Sequence, residues 1–83
     1  MAALYVLSVP EFQPLIDYAE AAAELTVSAL GDYRKIEAAG AITIPRAATG
    51  MGQAVWFGAL VGGFEGAIEE FTETRLIITP DRE

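Results

Sequence analysis

Phe12, Leu15, Ile16, Ala19 and Ala23 recur three or four residues apart, and from Leu25 the apolar period drops to two. The first spacing lines one face of a helix and the second lines one face of a strand. A chain that switches period within 83 residues must combine both kinds of element around one small core. Before the switch, the apolar, β-prone run at residues 4–9 reads as a buried strand. Ser8 stands three residues before Glu11, the spacing of a capping box, and Pro14 fits the first helical turn that follows. Glu11, Asp17, Glu20 and Glu24 fall on the other faces of this helix, which predicts a solvated acidic side.

After the switch, Leu25, Val27 and Ala29 alternate with Thr26 and Ser28. Gly31-Asp32 marks a turn, YRKIEA a second strand, Ala39-Gly40 another turn and AITIPR a further strand. Pro45 cannot donate a ladder hydrogen bond, so it belongs at the end of that strand or on an edge. FEGAIEEF and RLIIT flank TET as a hairpin, and PDRE reads as a frayed polar tail. The expectation is an α+β fold, one small domain over residues 1–83, with antiparallel sheets of about five to seven short strands and two helices.

Such a chain buries only about 60% of the surface it exposes when unfolded, and it has no cysteine for disulfide staples. With histidine also absent, the usual structural zinc ligands are missing, and no metal or other cofactor is expected. Twelve acidic residues against five basic ones give a formal charge of −7. That balance argues against nucleic acid and anionic membrane surfaces and favours a partner with a basic or neutral face. The N-terminal MAALYVLSV has no basic leader and runs into Pro10, so a cytoplasmic location is expected.

Residues 50–63, GMGQAVWFGALVGG, hold the only tryptophan among five glycines. A phosphate loop would need a Lys-Ser/Thr pair, and a dinucleotide fingerprint a third glycine where Val55 stands. The apolar run is too short to span a bilayer, which takes about 20 residues. Catalysis finds little to work with, since His and Cys are absent. On one strand Glu69 and Glu70 would point to opposite faces, while Glu65 and Glu69 would lie about 13 Å apart. Residues 51–61 read as a short helix, with Gln53 in its first turn and Gly62-Gly63 as its stop; the competing reading is a strand alternating Val55, Phe57, Ala59 and Val61. Its aromatic residues either complete the core or dock a partner.

The run LTVSALGDYRKIEAAGAITIPRA, followed later by FEGAIEEFTETRLIIT, resembles the small coupling, or effector, proteins of soluble di-iron multicomponent monooxygenases. The matching features are Thr26-Val27, Ile36 through Gly40 before AITIPRA, and Gly66-Ala67-Ile68 ahead of Leu76 and Ile78. The resemblance implies a cofactorless α+β protein of two small sheets and two helices. Such a protein binds the hydroxylase component over its di-iron site and tunes oxygen activation, substrate access and coupling without performing the chemistry. It also implies a protein-binding role for Arg46, Met51, Gln53, Trp56 and Phe57. Two rival readings remain: a homodimer whose glycine-rich stretch packs against its copy, and an apolar ligand binder built around Trp56.

Overall fold

Strand β1, Ala2–Leu7, buries Ala2, Leu4 and Val6 completely, and its β-prone run meets partners on both sides. A computed structural model describes residues 1–80; the expected tail lies mostly outside the described residues. After β1 come a 3₁₀ turn, Pro10–Phe12, and helix α1, Gln13–Ala21. Pro14 sits in the first turn of α1, where its missing N–H costs nothing. The capping box does not form, because the cap positions fall at Val9 and Phe12 and neither makes a side-chain cap. The Ser8 N–H instead donates to the Asp32 carbonyl at 2.8 Å. Helix α1 buries Leu15, Ile16 and Ala19 as its spacing requires, while Glu11, Asp17, Glu20 and Glu24 are exposed. Ala23 lies past the end of the helix and is exposed too, leaving Ala22 to pack against the core.

Strands β2, Thr26–Leu30, and β3, Tyr33–Ala38, form a hairpin through Gly31-Asp32. Strand β4, Ile42–Pro45, leads into two single helical turns, α2, Arg46–Thr49, and α3, Gln53–Trp56. Then come β5, Phe64–Glu65, β6, Ala67–Phe71, and β7, Arg75–Thr79. Two antiparallel sheets result, with strand orders β2-β3-β1-β5 and β4-β7-β6. The fold is α+β, as expected. One continuous core unites Leu4, Val6 and Ile36 of the first sheet, Ile44, Leu76 and Ile78 of the second, Leu15 and Ile16 of α1, and Trp56. Pro45 ends its strand, and that strand is an edge, so its missing donor is harmless in both respects.

Sequence reading treats FEGAIEEF as one strand, yet the chain divides it between the two sheets. Phe64 and Glu65 pair with Leu4 and Ala3 of β1, whereas Ala67 pairs with Thr79 of β7. Gly66 is the pivot, with φ +119°, and a Cβ there would lie 2.3 Å from the Thr79 carbonyl oxygen. Glu65 and Glu69 therefore belong to different sheets, and the spacing computed along a single strand does not apply. Nor do Glu69 and Glu70 simply alternate: the register passes from Ile68↔Ile78 to Glu70↔Ile77, which leaves Glu69 as a bulge.

The helix expected over residues 51–61 is one turn followed by tighter ones. Trp56 and Phe57 N–H groups donate four residues back, to Gly52 and Gln53. Beyond them Gly58, Ala59, Val61 and Gly63 donate only three residues back, at 3.0–3.2 Å. The strand alternative is not adopted. Thr49 keeps α2 separate from α3, since its hydroxyl donates to the Arg46 carbonyl at 2.7 Å and accepts from the Met51 N–H at 3.2 Å. These local bonds compete with continued helix.

Candidate functional site

Arg46 closes β4 and reaches across to the β6–β7 turn. Its Nε donates to the Glu73 carbonyl, its Nη1 donates to the Met51 carbonyl at 3.0 Å, and its own N–H donates to the Thr74 carbonyl at 2.8 Å. An arginine fork satisfies two carbonyls from separate loops at once, so it pins the start of the glycine-rich segment to the hairpin tip. Arg46 is thus held by main-chain oxygens. Gln53 strengthens the same junction, its amide donating to the Glu73 carboxylate at 2.6 Å.

The five residues expected to bind a partner do converge, but they divide by depth. Met51 is buried, and Trp56 is fully buried. The indole Nε1 donates to the Thr72 carbonyl at 2.7 Å, which satisfies its one polar atom inside the core. Trp56 cannot meet a partner without unfolding this corner. It lines neither of two open depressions on the described surface, one bordered by Leu7 and Arg34 and one by Met1 and Thr26. Phe57, the next residue, is 45% exposed. Its ring stands edge-on to Phe71 at 5.2 Å between centroids, and Phe71 in turn tilts against Trp56 at 5.8 Å. The three rings conduct from core to surface, and Phe57 is the face they present. Val61, further along the segment, is 85% exposed.

One glycine of this segment, Gly62, serves a close contact within the chain. A Cβ on Gly62 would lie 2.3 Å from the Tyr5 carbonyl oxygen and 2.9 Å from the Tyr33 ring. At Gly62 the close approach is made with the chain's own first sheet. The β6–β7 hairpin that supplies Phe71 carries three glutamates against one arginine. Glu70 pairs with Arg75 at 2.9 Å and accepts from the Thr72 hydroxyl at 3.1 Å, and Glu69 and Glu73 are exposed beside it.

Phe71, Thr72 and Glu73 were not singled out in the sequence, although they hold Trp56, Phe57, Gln53 and Arg46. They lie fourteen or more residues away along the chain, and only the β6–β7 hairpin brings them near. A second polar cluster lies on the outer face of the first sheet. The Tyr5 phenol donates to the Glu65 carboxylate at 2.6 Å, and that bond raises its pKa. Lys35 is bound to Glu37 at 3.2 Å, which raises the pKa of its ammonium. Both clusters suit recognition through shape, apolar contact and charge.

Among the described residues no group of three or more His, Cys, Asp or Glu is placed to hold a metal ion, and no helix is long and apolar enough to cross a membrane. Compared with models of known protein families and with curated proteins, the chain matches none.

Proposed function

We propose that this protein is a cofactorless regulatory component of a di-iron monooxygenase. It docks on the hydroxylase and tunes oxygen activation, substrate access and the coupling of electron transfer to product. The partner carries the chemistry, and the cytoplasm is the compartment this arrangement requires. The resemblance in residues 25–47 and 64–79 supports the reading, and so does the agreement between two small antiparallel sheets with a packed helix and the architecture that the resemblance implies.

The observation that carries it is the Phe57 face. An aromatic ring half out of water, rigidly backed by Phe71 and Trp56, loses little freedom on binding and has apolar area still to bury. Sequence reading shared this role between Trp56 and Phe57; their depths give it to Phe57. The acidic β6–β7 hairpin suits a hydroxylase surface that is basic around an apolar centre.

Titration of the protein into a reconstituted di-iron hydroxylase and its reductase tests the reading. Product formed per reductant consumed should rise until the two proteins are equimolar. Phe57→Ala should weaken hydroxylase binding by about 2 kcal/mol, close to thirtyfold, while its unfolding curve shifts little. Wild-type protein that neither binds the hydroxylase nor alters product yield would overturn the proposal.

A further inference from the structure

The two sheets expose four strand edges, and three of them are blunted. Strand β5 has only two residues, β4 ends in Pro45, and β6 carries a bulge at Glu69 with a second carboxylate, Glu70, beside it. Short length, proline, bulges and charge are the devices that keep an edge from pairing with another chain. Strand β2 has none of them. Thr-Val-Ser-Ala-Leu runs for five residues without charge, proline or register shift, and Leu30 is 53% exposed at its end.

Ladder parity identifies the free groups. With a two-residue turn at Gly31-Asp32, Leu30 and Tyr33 form a hydrogen-bonded pair, and Ser28–Lys35 and Thr26–Glu37 follow at the same parity. The N–H and C=O groups of Val27 and Ala29 consequently point away from β3. On the far side of the sheet the same alternation turns the Tyr5 N–H outward, where it meets the Gly63 carbonyl at 3.0 Å. Tyr5 has its neighbour; Val27 and Ala29 face no strand among the described residues.

Charge selects the occupant. Residues 24–32 contain no basic side chain, and both ends of the run are acidic, Glu24 and Asp32, each exposed. A second copy is disfavoured. The antiparallel register that joins Val27 to Ala29 of another copy sets Glu24 opposite Asp32 twice, and like charges directly opposite destabilise a pair. The register shifted toward Leu25 needs an N–H already donated to the Ala22 carbonyl at 3.2 Å. Each copy also carries a formal charge of −7.

We infer that the β2 edge is a docking site for an extended segment of another protein, with basic residues flanking an uncharged, β-prone centre. Backbone bonds to Val27 and Ala29 supply the pairing, and the end charges set direction and selectivity. This goes beyond the hydroxylase reading and does not depend on it, because any partner bearing such a segment meets the same edge.

The test uses the peptide Lys-Thr-Val-Thr-Val-Thr-Val-Thr-Lys as probe and follows amide hydrogen exchange by NMR. Addition of the peptide should slow exchange at Val27 and Ala29. A peptide with glutamate at both ends should bind about tenfold more weakly at low salt, with the gap closing at high salt. The double variant Glu24→Lys with Asp32→Lys keeps the backbone and should reverse the preference. The inference is overturned if neither amide is protected, or if protection falls on β6. It is equally overturned if protection grows with protein concentration alone, which would make a second copy the occupant.

Discussion

Helix α1 and the glycine-rich segment 50–63 carry comparable apolar content, yet one obeys its own sequence and the other obeys its neighbours. In α1 the residues buried are those that a period of 3.6 places on one face, and the acidic residues stand opposite. In the segment, apolar residues point in every direction and no single face explains which are buried. Trp56 goes inside because Phe71 and the Thr72 carbonyl receive it, and Phe57 is left outside as the exposed end of the same stack. Patterned burial needs only a core to face, whereas unpatterned burial needs particular partners already in position.

Substitutions at four sites can break or sharpen that contrast. Trp56→Ala should cost the most, about 3–5 kcal/mol in denaturant unfolding, because it empties a filled site and leaves the Thr72 carbonyl without its donor. If the loss is under about 1 kcal/mol, the segment is not anchored by its indole and the contrast fails.

Gly62→Ala comes next. Its Cβ would meet the Tyr5 carbonyl oxygen, a main-chain atom that yields only by moving β1. A loss of about 1–3 kcal/mol is expected, with NMR shift changes centred on Tyr5 and Tyr33.

Arg46→Ala removes a guanidinium from two carbonyls at a partly exposed junction, and about 1.5 kcal/mol of stability should go with it. Hydrogen exchange should speed up across residues 46–53 and at the β6–β7 turn while α1 keeps its protection. Uniform loss across the chain would show that the segment is no separate unit.

Asp17→Ala sits at the other extreme. It deletes an exposed bond from the Gln13 amide, 2.8 Å long and one helical turn away, and should shift unfolding by only about 0.2–0.5 kcal/mol. A large effect here would mean that α1 depends on specific partners as much as the segment does.

Legibility followed physical range. The period change at Leu25, the Gly31-Asp32 turn, the place of Pro45 and the α+β class could all be read, because each depends on residues a few positions apart. The resemblance to monooxygenase coupling proteins could be stated from strand and turn residues, but those residues carry no chemistry that would settle a function. The division of FEGAIEEF at Gly66 escaped notice, since a glycine within an apolar run looks the same whether the strand continues or changes sheets. Arg46 and Gln53 were recognised as belonging together with Trp56 and Phe57. What joins them, Phe71 to Glu73, lies on a distant hairpin with no local mark.

From the sequence alone came the helix face of α1, the alternating strands, the acidic surface and the shortage of catalytic groups, all of which depend on composition or on local periodicity. Tertiary structure decided that Trp56 is core and Phe57 is surface, that Arg46 binds carbonyls and not a carboxylate, and that β2 is the one edge without a guard. Depth, hydrogen-bond partner and edge position are properties of which elements lie side by side. In this chain β1 and β5 and the two arms of the glycine-rich junction meet only after distant segments close, so no local pattern could encode them.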